Sequence, residues 1–186
     1  MIRAQIEGIA LQFETAPGLF SPHALDAGTV AMLERARISA GDKVLDLGCG
    51  YGAVGIYAAK ITQPDRVFML DNDPLAVEHA LRNAARNDVA GAHVILSEGF
   101  GALDETEFTL ILCNPPYHAD FSVPKHFIEK GFNRLALGGR LWMVTKRDLW
   151  YRNKLTAIFG GARVHRAGEY FLFEAEKRSH TYANMR

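Results

Sequence analysis

From Lys43 onward, short apolar runs alternate with longer segments of helical period. The runs 43–47, 66–70, 92–97, Phe108–Cys113 and 140–145 predict strands buried on both faces. Between them, residues 53–61, 74–87, 123–136 and Leu149–Phe159 repeat their apolar positions at helical spacing. The punctuation agrees. Asp73 is a candidate N-cap with Pro74 at the first helical position. Gly138-Gly139 and Gly160-Gly161 end the third and fourth of these helices. Residues 163–166 and Tyr170–Glu176 alternate as a hairpin that turns near Ala167-Gly168. Repeated strand–helix units predict an α/β fold whose parallel sheet is covered on both faces, with the last hairpin adding antiparallel strands at one edge. The N-terminal segment reads differently. Residues 5–14 predict a small hairpin around Gly8, 17–22 a turn and 24–37 an amphipathic helix. We expect residues 1–40 to pack on a core formed by 41–186, in one domain overall.

Composition narrows the setting. The 186 residues suit a single domain. With 48% apolar and 23% charged residues, the balance is that of an ordinary globular chain. No apolar run approaches the ~20 residues of a membrane span. The first residues carry charges throughout and show no apolar signal core, so the expected compartment is the cytoplasm. Cys49 and Cys113 each end a predicted strand, without a CxxC or Cys/His cluster, so reduced thiols are expected rather than a disulfide or a metal site. Net charge is zero but unevenly spread. Residues 1–121 hold 8 Lys+Arg against 16 Asp+Glu, and residues 122–186 hold 13 against 5. A polyanionic partner contacted by the C-terminal third would explain the imbalance, and so would scattered solvated charge.

The strand Phe108–Cys113 runs into Asn114-Pro115-Pro116-Tyr117. Two prolines remove two backbone donors and end the strand. The Asn114 amide, the Pro115 carbonyl and the Tyr117 ring are left at a carboxyl edge, where open α/β sheets bind ligands. A planar –NH2 group can donate to the Asn114 oxygen and the Pro115 carbonyl while its ring stacks on Tyr117. The same residues also suit a plain proline-rich turn.

Upstream, the strand Val44–Leu47 enters the glycine-rich turn Gly48-Cys49-Gly50-Tyr51-Gly52, and Asp71 closes the next strand. Residues 50–55 also satisfy GxGxxG, and Asp71 follows at the distance that suits a nicotinamide dinucleotide. Asp46 argues against that ligand. A carboxylate just before the first glycine repels a pyrophosphate and attracts an ammonium or sulfonium. S-adenosyl-L-methionine carries a ribose, an ammonium and a sulfonium, so it matches both carboxylates. After the third strand, Glu98 is a candidate acceptor for the adenine amine and Phe100 a candidate packing partner for its ring; an exposed Glu followed by a core Phe fits the same residues.

Leu45-Asp46-Leu47-Gly48-Cys49-Gly50, Leu70-Asp71-Asn72-Asp73 and Asn114-Pro115-Pro116-Tyr117, in this order and spacing, resemble the class I S-adenosylmethionine-dependent methyltransferases. The leader Pro17-Gly18-Leu19-Phe20-Ser21 resembles that of the small-domain methyltransferases related to ribosomal RNA guanine-N2 enzymes. The resemblance implies a Rossmann-like three-layer sandwich around a mostly parallel seven-stranded sheet of order 3-2-1-4-5-7-6, last strand antiparallel. It implies that Asp46, Gly48 and Gly50 line the methionine end of the cofactor, Asp71 its ribose and Asn72 its adenine, with Phe20 and Ser21 closing over the site. Glu98 stands where the family often has Asp.

The expected reaction is methyl transfer to an exocyclic amine, guanine N2 of ribosomal or other structured RNA, without a metal. Asn114, Pro115 and Tyr117 would hold the amine, and Lys125, Lys146, Arg147, Arg152 and Lys154 would contact RNA phosphates. His118 and His126 are expected to be loop or surface residues. Other acceptors with an –NH2 on an sp² carbon, adenine N6 and protein glutamine, fit the same motif. A nicotinamide oxidoreductase and a non-enzymatic RNA-binding module remain open.

Overall fold

The apolar runs form strands and the periodic segments form helices. The computed structural model describes residues 1–115 and 121–185. Its elements are β1 (Ile2–Ile6), β2 (Ile9–Phe13), α1 (Ala27–Leu33), β3 (Val44–Leu47), α2 (Ala53–Ala59), β4 (Val67–Asp71), α3 (Pro74–Arg86) and β5 (His93–Leu96). They continue with β6 (Phe108–Cys113), α4 (Ser122–Arg134), β7 (Leu135–Thr145), α5 (Leu149–Phe159), β8 (Arg163–Ala167) and β9 (Tyr170–Glu176). Strands β3 to β9 form one sheet of order β5-β4-β3-β6-β7-β9-β8. The first five in that order are parallel, and β9 is antiparallel to both neighbours. Counted from β3, this is 3-2-1-4-5-7-6, the Rossmann-like order. No helix among the described residues is long and apolar enough to cross a membrane.

Alternation along the strands divides the core into two layers. Leu45, Leu47, Ile111 and Cys113 meet Phe127, Ile128 and Leu155 of α4 and α5. Val44, Leu110 and Leu112 belong to the opposite layer, with Ile56 of α2, Ala80 of α3 and Met32 of α1. Fully burying each such Leu, Ile or Phe contributes about 1.5–3 kcal/mol. The chain order reverses between β3 and β6, so their carboxyl ends open a crevice there.

The N-terminal hairpin is a separate two-stranded sheet. Two α3-side asparagines tie it down. Asn87 exchanges hydrogen bonds with the Gln12 backbone, at 3.0 and 2.8 Å. The fully buried Asn83 accepts from the Glu14 N–H at 2.7 Å and donates to the carbonyls of Glu14 and Tyr51, both at 2.9 Å.

Several expected boundaries move. The hairpin begins at Ile2, not residue 5. The helix expected over 24–37 is only Ala27–Leu33. Asp26 caps it by accepting from the Thr29 N–H at 2.7 Å, and a side-chain cap fixes where a helix starts. The helix expected to reach residue 136 stops at Arg134, and β7 begins at Leu135 instead of 140. Gly138-Gly139 sits inside this strand. Gly138 donates to the Lys177 carbonyl at 2.8 Å and Lys177 donates back to the Gly139 carbonyl at 2.9 Å. A Cβ on Gly139 would lie 2.7 Å from the Phe108 carbonyl oxygen. This glycine therefore serves a close strand approach, not a helix end.

Candidate active site

A cavity of about 550 Å³ opens at the carboxyl ends of β3, β4, β5 and β6. The turn after β3 depends on left-handed glycines. Gly48, Gly50 and Gly52 have φ of +77°, +54° and +92°. The N–H groups of Gly48 and Cys49 both donate to the Leu70 carbonyl at 2.9 Å, drawing the turn against β4. A Cβ on Gly48 or Gly50 would meet no protein atom within 4 Å, so both backbones face open space. Gly55 is different. A Cβ there would come within 2.3 Å of the Met69 side chain, so the last glycine of the GxGxxG pattern packs the core.

Asp46 lies on the cavity wall and is almost fully buried. One of its carboxylate oxygens accepts from the Gly55 N–H at 2.8 Å. Burial pushes its pKa up to about 7; the Gly55 bond opposes the rise and the Asp71 charge adds to it. Such a site gains from a neighbouring cation. Asp71 accepts from the Gly50 N–H at 2.8 Å on one oxygen and from the Asp73 N–H at 3.0 Å on the other. Each oxygen keeps a lone pair for a further donor. Asn72 donates to Glu98 at 3.3 Å, and both line the cavity. Burial holds the Cys49 thiol well above its usual range, with Asp46 and Asp71 adding to the rise. This cavity residue is therefore no thiolate nucleophile.

Asn114 follows β6 beside the glycine turn, since Leu47 and Cys113 are paired at the ends of β3 and β6. Its –NH2 group donates to Asp26 Oδ2 at 3.0 Å and to Thr29 Oγ1 at 2.9 Å. Its Oδ1 is buried and has no hydrogen-bond partner among the described residues. A buried amide oxygen left unpaired costs about 1–3 kcal/mol, which a bound donor would recover. Pro115 also lines the cavity.

Thus Asp46, Gly48, Gly50, Asp71, Asn72, Glu98, Phe20, Asn114 and Pro115 line one cavity. Two expected residues do not. Phe100 packs beneath it in the core, its ring against Phe127 and His126. Its apolar ring at a strand end serves that layer better than a half-open site. Ser21 stands outside, its carbonyl accepting from the Tyr51 hydroxyl at 3.4 Å and its own hydroxyl donating to the Ala24 carbonyl at 2.7 Å. Tyr117 and His118 lie outside the described residues. His126 is exposed, as expected of a surface residue, and it also lines the cavity from α4; a Cβ on Gly99 would lie 2.8 Å from its Nε2. Asp26 and Thr29 were also missed. Their only sequence signal is the cap pattern Asp-x-x-Thr, which says nothing of an asparagine 88 residues downstream.

The five basic residues separate into two groups. Lys146 pairs with Glu169 at 2.7 Å, Arg152 with Asp148 at 2.9 Å, and Lys154 with Glu129. The Arg147 guanidinium instead lies 4.9 Å from the centre of the Phe121 ring, and Lys125 is exposed on α4. Phe121 precedes the cavity-lining Ser122 and Val123.

The family model described as methyltransferase small domain matches residues 10–174. The ribosomal RNA large subunit methyltransferase G of Alteromonas mediterranea is 32% identical over 176 residues, covering 89% of this chain and 43% of the relative. The ribosomal RNA small subunit methyltransferase C of Pseudomonas aeruginosa is 30% identical over 173 residues, covering 91% and 52%. A solved 16S rRNA N2 methyltransferase of T. thermophilus, in complex with AdoMet and guanosine, superposes with a TM-score of 0.87 at 30% identity. That match covers 95% of this chain and 50% of the solved one. The chain therefore spans about half the length of the relatives it matches.

Proposed function

We propose that this chain, which belongs to the methyltransferase small-domain family, methylates the exocyclic amine of a nucleobase, guanine N2 of ribosomal or other structured RNA. The observation that carries this is the buried Asn114 Oδ1 without a partner among the described residues, on a residue that lines the same cavity as two acidic side chains, Asp46 and Asp71. The relatives' names support ribosomal RNA, and the guanosine complex supports guanine N2.

The residues present fit S-adenosylmethionine, which supplies an electrophilic methyl on a sulfonium. Asp46 offers a carboxylate to the donor's positive end. Asp71 offers lone pairs to ribose hydroxyls. Gly48 and Gly50 leave room for close backbone approach, and Asn72 and Glu98 border the adenine. The acceptor amine is a poor nucleophile, since its lone pair is delocalised into the ring. Asn114 Oδ1 and the Pro115 carbonyl accept its two N–H groups, draw the nitrogen toward tetrahedral geometry and stabilise the charge that develops on it. Holding both reactants in line supplies much of the remaining acceleration. Tyr117 stacks on the base, worth ~1–3 kcal/mol, and a paired base is first unstacked. Lys125, Lys146, Arg147, Arg152 and Lys154 meet phosphates, and Phe20 closes the entrance.

Labelled methyl transfer into ribosomal RNA from cells lacking the gene, followed by nucleoside analysis, tests the proposal. N2-methylguanosine is the expected product. Label in N6-methyladenosine, or in protein glutamine instead of RNA, would overturn the acceptor assignment. No transfer with intact cofactor binding would overturn the enzyme.

A further inference from the structure

The transfer chemistry above needs the Asn114 amide in one of its two orientations. With oxygen and nitrogen exchanged, it would present an –NH2 group to an amine that also donates, and the grip would be lost. Resting on that function, we propose that Asp26 is a positioning residue that fixes this orientation, together with Thr29 and Tyr170.

Both Asn114 donors are used, one by Asp26 Oδ2 at 3.0 Å and one by Thr29 Oγ1 at 2.9 Å. The reversed amide would set its oxygen against the Asp26 carboxylate, acceptor against acceptor, and would bury two unmatched donors. Asp26 is itself held on both oxygens. Oδ2 also accepts from the Thr29 N–H at 2.7 Å, and Oδ1 accepts from the Tyr170 hydroxyl at 3.1 Å. Tyr170 reaches that position because residue 28 is glycine. A Cβ there would lie 2.6 Å from the Tyr170 ring and 2.7 Å from Val144. The clamp joins the start of α1, the residue after β6 and the first residue of β9. Asn114 lies 88 residues beyond Asp26 in the chain, and Tyr170 lies 144 residues beyond it. With the –NH2 group engaged, the Asn114 oxygen is the end of the amide left for an acceptor before any ligand arrives, so no reorganisation is required at the moment of transfer.

The test uses the whole chain and three variants. Asp26→Ala removes the anchor. Asp26→Asn can still accept from Asn114 and the Thr29 N–H while turning its own –NH2 to the Tyr170 hydroxyl oxygen. Thr29→Val removes one acceptor and leaves the helix cap in place. We expect Asp26→Ala to lower kcat about 30-fold with the KM for S-adenosylmethionine within about threefold, Asp26→Asn to recover to within about fivefold of wild type, and Thr29→Val to lose about fivefold. Exchange of the Asn114 side-chain amide protons, followed in protein labelled with ¹⁵N-asparagine, is the second readout and needs no turnover. It should be slow in wild type and fast in Asp26→Ala. Unchanged kcat and unchanged exchange in Asp26→Ala and Thr29→Val would overturn the proposal. So would an Asp26→Ala protein in which kcat and cofactor affinity fall in parallel while the Asn114 amide still exchanges slowly, which marks a lost helix cap and nothing more. If wild type methylates no amine while Asp26→Ala still releases the Asn114 amide, the proposed function fails and the clamp stands.

Discussion

A carboxylate as buried as Asp46 is costly to ionise, and the fold keeps it beside a cavity rather than replacing it. Its folded-state pKa of about 7 lies above the ordinary 3.8. Between those values the folded protein holds a proton that the unfolded chain has released, so this group makes stability fall as pH rises through that window. Above about pH 7 the loss is complete. Asp46→Asn keeps an acceptor for the Gly55 N–H and removes the titration. In thermal melts the variant should exceed wild type at about pH 8 and match it near pH 4. In calorimetry it should bind S-adenosylmethionine at least about tenfold more weakly, ~1.4 kcal/mol. An Asn variant that is less stable at the alkaline end would contradict this account of the buried charge. Asp46, Asp71 and Asn114 are legible in the sequence because each lies at or near the end of an apolar run, and the ends of parallel strands meet at one edge. Asp26, Thr29 and Tyr170 are not, because their partner is chosen by tertiary packing. Phe100 is ambiguous for a related reason: the sequence places it after a strand but does not say which layer its ring enters.

At the level of elements, strands are the most legible feature, since burial on both faces leaves uninterrupted apolar runs. β6, α5 and β9 match their expected limits. α1 and the start of β7 do not. A side-chain cap trims the first, and Gly138-Gly139 resembles a helix stop while serving a strand crossing. The docking of the hairpin on α3 is equally hidden, because it rests on asparagines that read as helix surface. Asn83→Ala would leave the Glu14 N–H and the Tyr51 carbonyl without their buried partner, while the Glu14 carbonyl keeps its contact with His79 Nδ1 at 3.2 Å. We expect a loss on the order of 2–4 kcal/mol, since each unsatisfied group costs about 1–3 kcal/mol and relaxation or water recovers part. Urea unfolding measures it. A loss below about 1 kcal/mol would mean that Asn83 does not hold the hairpin.

Across the whole molecule, acidic residues are concentrated before residue 122 and basic ones after it. Of the proposed phosphate contacts, Lys146 and Arg147 follow β7 while Lys125 lies on α4, which lines the cavity through Ser122, Val123, His126 and Phe127. Residues 1–121 carry 8 − 16 = −8 and residues 122–186 carry 13 − 5 = +8. The proposed RNA face is therefore built from the later elements, and its strength should fall with salt. The ion pairs refine this. Arg152 and Lys154 are engaged by Asp148 and Glu129, whereas Arg147 and Lys125 are in no ion pair among the described residues. Arg147→Gln should reduce the salt slope of RNA binding by about one, and Arg152→Gln should change it less. Equal effects in a filter-binding series would remove this distinction. The charge division is plain in the sequence, but which cations are already neutralised is a property of the packed surface.

The central claim concerns one oxygen. Single-turnover methyl transfer by Asn114→Ala, with S-adenosylmethionine affinity measured alongside, tests it most directly. The account expects a rate at least about 100-fold below wild type, ~2.7 kcal/mol, with cofactor affinity within about threefold. A rate within about tenfold of wild type would contradict it.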